Sequence, residues 1–282
     1  MSCKCRFAAH RGALVKHICC RGIPRYKRSM ADIRTVLITG GAKRLGRAIA
    51  LDLSRHGWNV GIHYNSSERE ARVTCEDVRT AGTKAALAKA DLAREDEVAT
   101  VIARIAGELG PLTALINSAS LFENDQWYSA DRASWDRHME VNLRAPLVLT
   151  QNFAKQLPRD QHGAIVNLLD QRLFKPAPDF FSYGVSRAGL HWMTLTLAQA
   201  LAPRIRVNAV APGPTLKAAR QSAAHFEREQ KSTILGYGSE PQDICDAVRY
   251  LLDAKAVTGQ TIVVDGGQHL IWKLADIAPE QS

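Results

Sequence analysis

The chain has 282 residues, 46% hydrophobic and 23% charged, an ordinary globular composition and enough length to bury a substantial single core. No apolar run approaches the ~20 residues that a bilayer crossing needs, which argues against a membrane protein. Residues 1–30 hold eight Lys or Arg and no acid, whereas the rest carries 29 basic and 28 acidic side chains, so the net charge of +9 gives the body no reason to bind nucleic acid.

The leader, residues 1–30, also holds four of the six cysteines, Cys3, Cys5, Cys19 and Cys20. Cys-x-Cys followed by an adjacent pair is not zinc-ligand spacing, even with His10 and His17 nearby. An acid-free, Arg-rich stretch has the character of a transit peptide, and it lacks the apolar segment of a secretory signal. The plainer expectation is a disordered extension, with Met30 as an alternative start. Cys75 and Cys245 are isolated, which fits reduced thiols in a cytoplasmic protein better than a disulfide scaffold.

From residue 35 the pattern alternates strand and helix. The short apolar runs Thr35–Ile38, Asn59–His63, Lys84–Ala88, Thr113–Ile116, Ala164–Leu169, Arg204–Val210 and Gln260–Val264 suit parallel strands covered on both faces. Gly57 is expected to end the first helix, and Ser67 with Glu70 reads as a capping box opening the second, which Gly82 ends. Glu95–Leu109 is a strong helix former stopped by Gly110-Pro111. The expected fold is an α/β, doubly wound, Rossmann-type seven-stranded parallel sheet with helices on both faces. One domain spans 31–272, with 273–282 as a C-terminal tail.

The first strand runs into Thr39-Gly40-Gly41-Ala42-Lys43-Arg44-Leu45-Gly46, a glycine turn that opens a helix. Glycine lets the backbone approach a pyrophosphate, and a helix amino terminus offers it free N–H groups. A site for NAD places a carboxylate at the end of the second strand. Here that strand ends His63-Tyr64-Asn65-Ser66-Ser67, with no acid before Glu68. Arg44 and the hydroxyls of Ser66 and Ser67 therefore point to the 2′-phosphate of NADP(H).

With these residues in view, the chain resembles the short-chain dehydrogenase/reductase family. The ordered motifs are Thr39-Gly40-x-x-x-Arg44-Leu45-Gly46, with Arg44 where most members have Gly; Asp91-Leu92; Asn117-Ser118-Ala119-Ser120; Asn142; Tyr183-x-x-x-Arg187; Pro212-Gly213; and Thr258-Gly259-Gln260 with Asp265-Gly266-Gly267. Within the family it is most similar to pteridine reductases and dihydromonapterin/dihydrofolate reductases. That likeness rests on Arg44, on Asp170 where most members place the catalytic Ser, and on Ser120 and Phe122, matching residues that flank a pterin ring.

The resemblance implies an NADP(H)-dependent oxidoreductase that delivers hydride to a small flat carbonyl or imine, working as a homotetramer or homodimer. It assigns catalysis to Tyr183, Asp170, Arg187 and Asn142, and substrate contacts to Ser120, Phe122, Asp170 and Tyr183. Cofactor contacts fall on Gly40, Arg44, Leu45, Gly46, Tyr64 to Ser67, Asp91, Leu92, Asn117, Ser118, Ala119, Tyr183, Arg187, Pro212 and Gly213. Arg187 replaces the family lysine; a guanidinium supplies charge but is a poor proton relay. Asp170 opposes phenolate formation on Tyr183, which favours a protonated general acid. Two alternatives stay open: a reductase of a sugar, acyl or aliphatic ketone, and a catalytically silent NADP(H)-binding sensor or scaffold. Helices around Asp131–Leu157 and Phe181–Leu201 are expected between subunits, with His191 and Trp192 at a contact and without chemistry.

Overall fold

The computed structural model describes residues 34–217 and 221–272; the expected leader and tail lie outside them. Seven strands, β1 (Arg34–Ile38), β2 (Trp58–Tyr64), β3 (Ala85–Lys89), β4 (Ala114–Asn117), β5 (Gly163–Leu168), β6 (Ile205–Pro212) and β7 (Thr261–Val264), form one sheet in the order β3-β2-β1-β4-β5-β6-β7. Every pairing is parallel. Each strand was legible to within one or two residues, because a parallel strand buried on both faces reads as an unbroken apolar run.

Side chains of β1 alternate between two cores. Val36 and Ile38 join Ile49 and Leu53 of α1 (Arg44–Arg55), Val78 of α2 (Glu68–Thr80), and Ile244 and Val248 of α8 (Pro241–Asp253). Leu37 faces the other side, with Ile102 and Ile105 of α3 (Glu95–Leu109) and Leu149 and Phe153 of α5 (Ala145–Gln156). Between these lie α4 (Arg132–Met139), which a π-helical turn at Glu140–Arg144 joins to α5; α6 (Phe181–Ala200); and α7 (Ala223–Lys231). Among the described residues no helix is long and apolar enough to cross a membrane.

Gly57, Gly82 and Gly110 follow their helices with positive φ, as expected. The capping box at Ser67 does not form. Ser67 is the N-cap of α2 but makes no side-chain cap hydrogen bond, and the Glu70 carboxylate pairs with Lys43 at 3.0 Å instead. An ammonium from the neighbouring glycine turn competes for the carboxylate that the box would use.

The strand order reverses between β1 and β4, so the turns after these two strands part and leave a crevice at their carboxyl ends. The ends of β1, β2, β4, β5 and β6 carry most of the expected site residues.

Candidate active site

The floor of the crevice is backbone held by small residues. Gly40 has φ +64°, and a Cβ there would meet the Ala119 backbone at 3.0 Å. A Cβ on Gly46 would meet the Gly40 carbonyl oxygen at 2.3 Å, so helix α1 can seat this close to the turn only with glycine at that position. Thr39 Oγ1 accepts the N–H groups of Ser118 and Ala119 at 2.9 and 3.0 Å, which ties the turn after β1 to the turn after β4.

Arg44 also has positive φ, +52°, at the position where the family pattern carries glycine. For a side chain with a Cβ this left-handed backbone costs about 1–3 kcal/mol. The sequence directed its guanidinium to a phosphate beside Ser66 and Ser67. In the structure it donates to the carbonyl oxygens of Leu216 and Lys217, at 3.0 and 2.9 Å, in the loop after β6. A surface cavity of about 430 Å³ beside the turn is lined by Lys43, Arg44, Arg47 and Arg69 against Glu70. Arg69 in the first turn of α2 and Lys43 from the glycine turn, which pairs with Glu70 of that helix, are thus further cations near Ser67, the N-cap of α2.

At the adenine end implied by the resemblance, Leu92 is buried, and Asp91 accepts the Ala93 N–H at 3.0 Å while its own N–H donates to Glu97. Tyr64 is buried under the second strand's end, while Asn65 and Ser66 are exposed. His63, unassigned from sequence, accepts from the Gly40 N–H through Nδ1 at 3.2 Å and contacts the Ala90 carbonyl through Nε2 at 3.1 Å.

The reactive end gathers around α6. Asp170 follows β5, Tyr183 lies in the first turn of α6, and Arg187 stands four residues on, on the same helix face. The Tyr183 hydroxyl donates to Asp170 Oδ2 at 2.7 Å, and the phenol is only 4% exposed. Burial pushes this phenol well above its ordinary value; Asp170 adds to the shift and the Arg187 cation opposes it. Arg187 is 3% exposed; it donates to the Leu168 carbonyl oxygen at 3.1 Å and lies with its guanidinium carbon 5.2 Å from the Tyr183 ring centre.

Asn142 sits in the π-helical turn, a distortion frequent at functional sites. Its amide accepts the Leu121 N–H at 2.8 Å and donates to the Leu121 carbonyl at 2.9 Å and to Ser186 Oγ at 3.1 Å. It therefore braces the Ser120–Phe122 segment against α6. Asn117 donates to Asn167, which donates to Thr194, a second buried brace from β4 to α6.

Phe122, 45% exposed, stacks on Phe180 with centroids 4.2 Å apart and presents its ring to Tyr183 in an edge arrangement at 4.7 Å. Phe180 escaped sequence reasoning; its φ of +55° has no signature in the chain. Asn124 and Asp125 hold it there, accepting the N–H groups of Phe180, Phe181 and Ser182. Ser120 is exposed near Phe122, and Pro212 ends β6 with the Gly213 N–H bonded to the Val264 carbonyl. His191 contacts Thr261 at 3.3 Å, and Trp192 is 69% exposed on α6.

A family model described as enoyl-(acyl carrier protein) reductase matches residues 40–269. The chain is a short-chain dehydrogenase/reductase. It is 31% identical over 247 residues to the 3-oxoacyl-[acyl-carrier-protein] reductase FabG of Staphylococcus aureus, covering 86% of this chain and 100% of that protein. Among solved structures, FolM alternative dihydrofolate reductase 1 from Brucella canis, complexed with NADP, is 44% identical with a TM-score of 0.82, over 87% of this chain and 98% of that one. A short-chain dehydrogenase from Burkholderia cenocepacia, in complex with NADP, is 28% identical with a TM-score of 0.77, over 83% and 97%. The oxidoreductase fold and the family's motif order therefore hold along nearly all of the described residues.

Proposed function

We propose that this short-chain dehydrogenase/reductase uses NADP(H) to reduce a flat, pterin-like carbonyl or imine, with Tyr183 as the proton donor. The observation that carries the reading is the buried Tyr183–Asp170 hydrogen bond of 2.7 Å beside the Phe122 ring.

The residues present fit a dinucleotide. The glycine turn leaves room that a Cβ would fill, and among the described residues Arg187 Nε and Asn117 Oδ1 are buried polar atoms without a hydrogen-bond partner, as are Gln171 Oε1 and Ser182 Oγ beside Asp170 and Tyr183. Gly40, Leu45 and Gly46 would cradle the pyrophosphate, Asp91 and Leu92 the adenine, and Arg187 with Asn117 to Ala119 the nicotinamide half. Pro212 and Gly213 would close the cleft from β6. Lys43 and Arg69, with Tyr64 to Ser67, would take the 2′-phosphate, and Arg44 would link that end to the loop over the cleft. When bound, NADPH supplies the hydride, and the protein supplies position and the proton.

Tyr183 stays protonated because its surroundings disfavour a buried phenolate, so it can donate as negative charge builds on the reduced atom. Asp170 accepts from the phenol and fixes its orientation; Arg187 holds compensating charge over the ring. Phe122 offers an aromatic face to a flat ring beside Ser120, and Phe180 stiffens it. The likeness to FolM, at 44% identity, supports a pterin over the acyl substrate of the 31% identical FabG.

The exposed apolar side chains Phe181, Val185 and Trp192 along α6 support a homotetramer or homodimer with this helix at the contact. Both cysteines among the described residues are free and buried, which supports a reducing cytoplasmic setting.

Incubation with NADPH and a panel of dihydrobiopterin, dihydrofolate and simple ketones, followed by nicotinamide absorbance, tests the reading. Turnover with the pterins alone supports it, and turnover with ketones alone sinks the substrate class. Cofactor binding without turnover, with activity appearing in Arg187→Lys, would establish the silent alternative.

A further inference from the structure

We infer that His63 is a positioning residue for the adenine half of the cofactor, a side-chain rivet that holds the glycine turn against the end of β3. The inference rests on the cofactor-site reading above and assigns a role to a residue that reading does not use.

The two ring nitrogens are bonded to two different loops. Gly40 N–H is a donor, so Nδ1, 3.2 Å away, must carry no proton. The Ala90 carbonyl is an acceptor, so Nε2, 3.1 Å away, must carry one. The partners thereby dictate a single neutral tautomer. Backbone bonds flank it on both sides: Gly41 N–H donates to the His63 carbonyl and Ala90 N–H to the Tyr64 carbonyl, each at 3.0 Å. One imidazole, 2% exposed, thus fastens the ends of β1, β2 and β3. Those ends carry Gly40 on one side and Asp91 and Leu92 on the other, and the adenosine must lie between them.

A second proton would turn Nδ1 from acceptor to donor and set it against the Gly40 N–H. Burial already disfavours that proton, holding the imidazole at about 4 from an ordinary 6.5, with the Ala90 bond and the Asp91 charge opposing. Thr39 to Gly41 contribute no titratable side chain from the turn. Asp91, after β3, is the charged group acting on the ring.

Calorimetry on the full chain, titrating NADPH and separately adenosine 2′,5′-bisphosphate at about pH 7.5, tests this with His63→Gln and His63→Leu. A Gln amide can accept from Gly40 and donate to Ala90, so His63→Gln should keep the wild-type Kd for both ligands. Loss of a bond that positions the turn should weaken both ligands in His63→Leu by about tenfold, raising KM for NADPH and leaving kcat at saturating NADPH in place. His63→Leu binding both ligands as tightly as wild type would overturn the inference, as would His63→Gln binding as weakly as His63→Leu. Should His63→Leu not fold, His63→Gln decides: wild-type affinity with loss of the acid sensitivity of Tm supports the rivet, and tenfold weaker binding refutes it. A wild-type chain that takes up neither ligand defeats the cofactor-site reading instead.

Discussion

The hydroxyl of Tyr183 and the carboxylate of Asp170 lie 2.7 Å apart, joined by a hydrogen bond from phenol to carboxylate across the gap between α6 and the end of β5. Burial and the adjacent carboxylate both favour the protonated phenol, and only Arg187 opposes them. The resting phenol is therefore protonated, the form a general acid must start from.

Removing the donor should be the most damaging single change to catalysis. Tyr183→Phe is expected to lower kcat by about 10²–10⁴-fold with little change in NADPH affinity, the range for losing a positioned general acid. Asp170→Asn keeps the shape but removes the negative charge, and kcat for reduction should fall by about tenfold. Steady-state kinetics beside calorimetric Kd values check both; full turnover in either variant would remove that residue from the mechanism.

Arg187 joins structure and chemistry. Its guanidinium supplies the donor for the buried Leu168 carbonyl and the cation over the Tyr183 ring. Arg187→Met should cost about 1–3 kcal/mol in urea unfolding by leaving that carbonyl unmet, and should nearly abolish turnover. Arg187→Lys restores an ammonium able to relay protons, and its kcat is expected to equal or exceed that of wild type.

Arg44 offers a test of backbone strain. In a helix interior Ala is more stable than Gly by about 1 kcal/mol. At φ +52° the order should reverse, with Arg44→Gly more stable than Arg44→Ala by about 1 kcal/mol in urea unfolding. Equal stability, or the usual order, would show that this position bears no left-handed strain.

His63 sets an acid limit on stability. Its imidazole titrates at about 4 when folded against 6.5 when free, so between these values the unfolded chain binds more protons and stability rises with pH. Its contribution is whole above about pH 6.5 and lost as pH falls towards about 4. Between about pH 8 and pH 5 the loss should reach about 2 kcal/mol, and His63→Gln should lack it. Urea melts across that range measure the difference.

Trp192 tests the proposed homo-oligomer. Burial of its exposed indole in a subunit contact would make Trp192→Glu lower the mass read by gel filtration and light scattering relative to wild type. An unchanged mass would move the contact away from this part of α6.

Seven apolar runs, the glycines that end the helices and the ordered motifs were all local facts, and they sufficed for the sheet, its parallel sense and the family. A strand buried on both faces must be apolar throughout, and a turn at positive φ selects glycine, so the chain alone records both. What the chain could not record is which side chains from distant segments meet. Glu70 read as a cap partner for Ser67 because the two are three residues apart, yet Lys43 from another element reached it first. Arg44 was assigned a phosphate by charge, and its direction towards Leu216 and Lys217 depends on a loop more than 170 residues further along the chain. His63 looked like any polar residue at a strand end; its tautomer and its role depend on Gly40 and Ala90, which only the folded sheet brings to either side of the ring. Local preference acts within a few residues, whereas hydrogen-bond partnership depends on distance in space, and only folding sets that distance.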